Sequence, residues 1–302
     1  MKMNTFLKDE EYEGWFFDLA GARDEVIRVL RSKGLGRESR VLDVAAGHGT
    51  LALKIAEAVP EGEVIAIGLA NDLRDYKWYR TQVPEGRFSE KIYYLEMDAT
   101  RLEFEDNRFD FVVNFLGLED IRMTRGEEGL MRAIREMARV VRSGGFVQIA
   151  IGVYGDEPEE VLLREVEQFI GHGAVFPPPD FFREQLRRNG LEIVEEILFV
   201  TGKKLIAEQA KEEIRFACER TPEVFRDYGV KTRGFKEVWD EFGSDVERIG
   251  LAHYSRILCI VSGKCLWRSV ESILEQRHDE DTIAWRRTEA RGIDTSRSSS
   301  SL

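Results

Sequence analysis

The sequence predicts an α/β fold: a doubly wound, mostly parallel sheet with helices on both faces. Three observations lead there. Short apolar runs alternate with segments of helical period between residues 19 and 153, the pattern of strand–helix–strand units. The first run, Arg40 to Ala45, passes through Gly47-His48-Gly49 into the next helix, and such a turn opens many ligand sites in open sheets. Asp43, Asp98 and Asn114 fall at or just past the ends of separate runs, the edge where these sheets bind ligands.

In chain order, Leu19 to Leu30 carries apolar residues at helical spacing and stops near Lys33-Gly34. Arg40 to Ala45 is the first strand, and Thr50 to Ala58 the helix after the glycine turn. Glu63 to Ile67 follows Glu61-Gly62 as a second strand, with Asn71 to Arg80 the next helix. Lys91 to Glu96 and Phe109 to Phe115 are the third and fourth strands, Asp98 lying just beyond the third. Glu127 to Val141 is a strongly patterned helix stopped by Arg142-Ser143-Gly144-Gly145, and Phe146 to Val153 is the fifth strand. Glu157 to Ile170 reads as a helix, prolines 177 to 179 break the chain, and a helix from Asp180 to Arg188 follows. Glu192 to Val200 and His253 to Val261 read as a strand and its partner.

The 47 residues from Lys204 to Gly250 are largely helical in pattern and are expected to form an inserted cap, because a structureless loop of that length is unusual in a compact domain. The expected organisation is a helical segment over residues 1–35, a core over 36–203, the cap over 204–250, a final core strand over 251–263 and an extension over 264–302. The tail from Arg291 has no apolar pattern, ends in serines, and is expected to be disordered.

Hydrophobic residues make up 43% and charged residues 33% of the 302, an ordinary soluble balance. No apolar run approaches the roughly 20 residues that span a bilayer, and the start lacks a signal-peptide core, so a cytoplasmic protein without membrane contact is expected. A net charge of −12 opposes generic nucleic-acid binding. Cys218, Cys259 and Cys265 have no metal-type spacing, and His48, His172, His253 and His278 are scattered; no metal site is indicated.

A helix start after a glycine turn offers unpaired N–H groups and a positive dipole end, suited to a carboxylate or phosphate. The turn alone does not discriminate, and the first glycine of a dinucleotide Gly-x-Gly-x-x-Gly is Ala45 here. Three further stations add information: Ile67-Gly68-Leu69, Met97-Asp98-Ala99-Thr100, and Arg142-Ser143-Gly144-Gly145 ahead of a strand. Together with Val41 to Thr50 they resemble the class I, seven-stranded, Rossmann-like S-adenosylmethionine-dependent methyltransferases. That resemblance covers Val41 to Ala150 and implies seven strands, with Asp180 to Val200 and His253 to Val261 supplying the last helix and an antiparallel last strand. It implies S-adenosylmethionine as cofactor, with Asp43, Ala45, Gly47 and Gly49 around the methionyl part, Leu69 on the adenine, Asp98 accepting the adenine amine, Ala99 giving a backbone contact, and Asn114 to Gly117 along the sulfonium side.

Gly68 departs from that pattern, since the family usually carries an acid there for the ribose hydroxyls. Its loss removes a contact worth about 1.5–3 kcal/mol; Asn71 or Asp72, at the start of the next helix, stands within reach as a substitute. Asn114-Phe115-Leu116-Gly117 lacks the prolines and aromatic of base-amino methyltransferases. Glu119 and Asp120, just beyond, are the acids placed to orient or deprotonate an acceptor, against the plainer reading of solvated or helix-capping acids. Trp15, Phe16 and Phe17 could line the acceptor pocket or simply anchor a helix. The function expected is methyl transfer to a small molecule under the cap; the alternatives are a protein or RNA acceptor, and a non-catalytic binding protein that kept the fold.

Overall fold

The computed structural model describes residues 19–82 and 91–265, and all of these except Cys265 belong to one unit, Met1–Lys264. Trp15, Phe16, Phe17 and the tail from Arg291 lie outside the described residues.

Helix α1 (Ala20–Ser32) buries Val26, Val29 and Leu30 at helical spacing, and the chain turns out of it at Gly34 with φ +98°. Five strands and three helices then alternate: β1 (Arg40–Val44), α2 (Thr50–Ala58), β2 (Glu63–Gly68), α3 (Ala70–Gln82), β3 (Ile92–Glu96), β4 (Phe109–Phe115), α4 (Leu118–Val140) and β5 (Val141–Gly152). Next come α5 (Pro158–Ile170), α6 (Pro179–Arg188), β6 (Leu191–Val200) and the short β7 (Lys204–Leu205). The cap continues through α7 (Ala207–Arg215), a π-helical turn over Phe216–Arg220, α8 (Thr221–Val224) and α9 (Phe235–Ile249). The chain ends its described part with β8 (Leu251–Ala252) and β9 (Arg256–Lys264).

The seven-stranded sheet has the order β3-β2-β1-β4-β5-β9-β6. Its pairs are parallel from β3 through β5, and β9 runs antiparallel to both β5 and β6. Period-two alternation explains why helices cover both faces. Val41, Val64, Ala66, Phe111 and Val113 enter one core, whereas Leu42, Val44, Ile65, Ile67 and Val112 enter the other. Strands apolar on both faces must be buried on both. The cap has a third core, in which Leu205, Ala210, Ile214, Val238 and Val246 pack with Leu162, Val166 and Ile170 of α5. It is therefore seated on α5 by its own apolar contacts, and β7 pairs with β8 at its base.

Three expectations are corrected. The helix after β4 begins at Leu118, not Glu127; it passes through Gly126, whose φ of +69° and ψ of −176° break the helical geometry. Its first turns look unhelical in sequence because Glu119, Asp120, Arg122 and Arg125 interrupt the apolar period. Arg142 to Gly145 lie within β5, looped out between the pairs Phe109↔Val141 and Phe111↔Phe146. The last strand starts at Arg256 and runs to Lys264, so His253 precedes it.

Candidate functional site

The site is built on the carboxyl ends of β1, β2, β3 and β4. The chain leaves β1 through Ala45 at φ +52°, Gly47 at φ +53° and Gly49 at φ +76°, and the Ala46 N–H donates to Ile67 O at 2.9 Å, tying the turn to β2. Gly49 needs to be glycine twice over: its φ is left-handed, and a Cβ would lie 2.9 Å from the Tyr76 ring. Gly117 brings the β4 exit against the same turn, where a Cβ would sit 2.5 Å from Ala45 O. Gly117→Ala is accordingly expected to cost about 1 to 2 kcal/mol, as overpacking of a buried contact does, measured by urea unfolding.

Three adjoining cavities open there. The central one, about 190 Å³, is lined by Asp43, the glycine turn, Thr50, Phe115 to Gly117, Glu119 and Asp120, and by cap residues including Phe216, Thr221 and Phe225. A second of about 50 Å³ is lined by Gly68, Leu69, Met97, Asp98, Ala99, Ile121 and Arg125, and shares Ala45, Gly47, Asp72, Asp120 and Phe225 with the first. A third of about 70 Å³, lined by Tyr154, Phe176 and Ser255 among others, shares Glu119, Glu167, Glu213, His253 and Tyr254 with the first.

Asp43 is 1% exposed, and its Oδ2 is buried without a hydrogen-bond partner. Burial pushes its carboxyl up to about 8, although a backbone bond from Ala52 and the charge of Arg23 pull the other way. Asp98 keeps its charge. Burial opposes that charge, but the Thr100 N–H and hydroxyl, both at 2.8 Å from Oδ1, and Arg125 Nε, 2.9 Å from Oδ2, together hold the carboxyl below its ordinary range. Arg125 in turn lies 4.6 Å from the centre of the Tyr228 ring in the cap.

Asp72 is, with Asp120, one of two acids at the junction of the first two cavities. Its Oδ2 accepts the Leu69 N–H at 2.8 Å, closing the start of α3. A Cβ on Gly68 would stand 2.3 Å from Tyr94 Oη and 2.8 Å from the Asp72 carboxylate. Glycine at 68 therefore makes room for an acid arriving from the helix four residues later. Asn71 and Asn114 lie outside both cavities. The Asn71 amide donates to Val224 O at 3.2 Å and its carbonyl accepts from Arg74; Asn114, fully buried, donates to Val44 O at 2.7 Å and ties β4 to β1.

Glu119 and Asp120 stand in the first turn of α4 and face the central cavity. Burial, then the neighbouring Asp120, raise the Glu119 carboxyl well above its ordinary value, against a hydrogen bond from Tyr254. Burial, then Asp72, push Asp120 up to about 7, with His172 acting in the opposite sense. Burial, then Glu167, push Glu213 up to about 8. His48, also in the turn, is pushed down to about 4 by burial and is neutral. His172 accepts the Ala174 N–H on Nδ1 at 2.9 Å, so its Nε2 carries the proton toward Glu167 Oε2, 3.2 Å away.

Residues 42–149 match the family model of a methyltransferase domain. They are a class I methyltransferase domain. Among curated relatives, the ubiquinone/menaquinone biosynthesis C-methyltransferase of Azotobacter vinelandii is 33% identical over 138 residues, 46% of this chain and 51% of that protein. The demethylmenaquinone methyltransferase of Bacteroides fragilis is 28% identical over 159 residues, 48% of this chain and 62% of that protein. The chain thus spans about half the length of the curated relatives it matches. A Bacillus halodurans C-125 protein solved as a candidate methyltransferase shares the fold with a TM-score of 0.55 at 19% identity, over 80% of this chain and all of that one.

S-adenosylmethionine is the methyl donor of this family, and the methyltransferase domain here suits it on its own chemistry. The orphaned Asp43 Oδ2 calls for a donor such as an ammonium. The first turn of α2 has no side-chain cap among the described residues and suits a carboxylate. Leu69, Met97 and Ile121 make an apolar slot beside the ionised Asp98, a pairing that suits a flat base with an exocyclic amine. Sequence reading did not single out Glu167, Glu213 or Tyr254, because they come from α5, the cap and the approach to β9; Tyr254, at φ +46°, adopts a backbone state that its residue type does not announce.

Proposed function

We propose that this chain transfers a methyl group from S-adenosylmethionine to a small molecule enclosed beneath the helical cap. The observation that carries the reading is the shared wall: cap residues Phe216, Thr221 and Phe225 line the same cavity as the glycine turn and Asp43. An acceptor reaching the turn there is surrounded by protein.

In this reading Asp43 meets the ammonium of the cofactor, the start of α2 its carboxylate, and Asp72 the ribose hydroxyls. Leu69 and Ala99 flank the adenine and Asp98 accepts its amine. When bound, S-adenosylmethionine supplies an electrophilic methyl carbon on a sulfonium. The residues of the chain orient the acceptor and exclude water, which is where most of the rate of an in-line displacement arises. Glu119 and Asp120, at the sulfonium end, orient the acceptor, and the Asp120 carboxyl, pushed up to about 7 by burial, suits uptake of an acceptor proton near neutral pH. The quinone acceptors in the names of the curated relatives are precedent for a small molecule.

The test is incubation with cofactor carrying a labelled methyl group and a fractionated cell extract. Label is expected in the low-molecular-mass fraction; label confined to protein or RNA overturns the enclosed-acceptor reading.

A further inference from the structure

We infer that the acceptor is a cationic amine, held by the carboxylates of Glu119, Glu167 and Glu213 in the chamber between the glycine turn and the cap. This inference rests on the methyl-transfer reading. Three elements distant in sequence, α4, α5 and α7, each send one of these acids to the central and third cavities, which share all three. Burial and mutual repulsion raise the Glu119 and Glu213 carboxyls toward the protonated form in this chamber, and a cation entering it is what lets them ionise.

The described cations are engaged elsewhere: Arg256, which lines the third cavity, donates to Glu160 Oε1 at 2.8 Å. Arg23 is the only lysine or arginine among the described residues lining the central cavity, and its charge acts on Asp43. Lys203 acts on Glu213 from outside the lining. Two of the three acids have one oxygen engaged: Glu119 Oε1 accepts from Tyr254 and Glu167 Oε2 faces His172. Glu213 Oε2 is different, being buried and without a hydrogen-bond partner. It is an acceptor waiting for a donor, on a helix whose other inward residues, Ala210 and Ile214, belong to the apolar core of the cap. The aromatic residues Phe216, Phe225 and Tyr254 line the same space, and aromatic faces attract ammonium groups.

A quinone or other donor-free acceptor leaves Glu213 unsatisfied; an ammonium brings up to three N–H donors and the missing charge. Before transfer the nitrogen gives one proton to a carboxylate of the chamber. Its lone pair then forms the N–C bond while the C–S bond of the sulfonium donor breaks with its electron pair remaining on sulfur, leaving a methylated ammonium and a neutral thioether.

The test uses matched pairs, such as 2-phenylethylamine and 2-phenylethanol, titrated into the full chain saturated with S-adenosylhomocysteine. The amine is expected to bind at least tenfold more tightly than the alcohol. Glu213→Gln, and separately Glu119→Gln, should remove most of that preference while S-adenosylhomocysteine binds each variant as it binds the parent, which also shows that the variants fold. Equal affinity for amine and alcohol, no binding of the amine, or a preference that survives both substitutions overturns the inference. Failure of the parent chain to bind S-adenosylhomocysteine overturns the methyl-transfer reading instead.

Discussion

Asp72→Asn is expected to weaken S-adenosylmethionine binding by at least tenfold, and restoring the acid usual in the family through Gly68→Asp is expected to weaken it as well. Asn keeps a side-chain oxygen for the Leu69 N–H, which Asp72 Oδ2 now accepts at 2.8 Å, so the start of α3 should survive. The charge and one acceptor toward the ribose are lost, a change of about 1.5–3 kcal/mol for bonds to an ionised group. Gly68→Asp fails for a steric reason, since its Cβ would lie 2.3 Å from Tyr94 Oη. Tyr94 cannot simply retreat: it donates to Gly47 O at 2.7 Å and stacks on Tyr76 at 4.5 Å. Calorimetric dissociation constants for the two variants check both arms. Unchanged affinity in Asp72→Asn, or improved affinity in Gly68→Asp, contradicts the assignment of Asp72 to the ribose.

Stability of the ligand-free protein is expected to peak near pH 5 and fall by several kcal/mol by pH 9. The folded carboxyls of Asp43, Asp120 and Glu213 sit at about 8, 7 and 8, raised first by burial. Unfolded, they titrate near 4. Between those values the native state holds more protons than the unfolded state, so the slope of stability against pH is negative. Their contribution is complete below about pH 4 and is lost as pH rises through 7 to 8. Asp98, Asp110 and Glu136 are held below their ordinary range and act in the opposite sense, losing their contribution as pH falls below about 4. Thermal melts across pH 4 to 9 should show a decline on the order of 10 °C on the alkaline side. Asp43→Asn mimics the protonated side chain and should flatten that limb; an equally steep limb in the variant would falsify the account of Asp43.

How much of this was legible beforehand depends on where each residue's partners come from. The strand runs were readable because strands buried on both faces are nearly continuous apolar stretches, as in Val64 to Ile67 and Phe111 to Val113. The glycine turn and Asp98 were readable because they fall at strand ends. The first turns of α4 were not, since the face that carries Glu119 and Asp120 looks into a cavity rather than a core and breaks the apolar period. Asn71 and Asn114 have the right residue type at the right station, but backbone carbonyls of Val224 and Val44 take up their amides. The acids Glu167 and Glu213 lie on amphipathic helices where a carboxylate ordinarily reads as solvated. Only the seating of the cap on α5 turns them toward the site.

The most direct measurement is calorimetric titration of the full chain with S-adenosylmethionine and S-adenosylhomocysteine at pH 7.5 in two buffers of different ionisation enthalpy. One-to-one binding of both is predicted, with net proton release, because the ligand's ammonium ionises the neutral Asp43. Absence of heat with either ligand at millimolar concentration in both buffers contradicts the account.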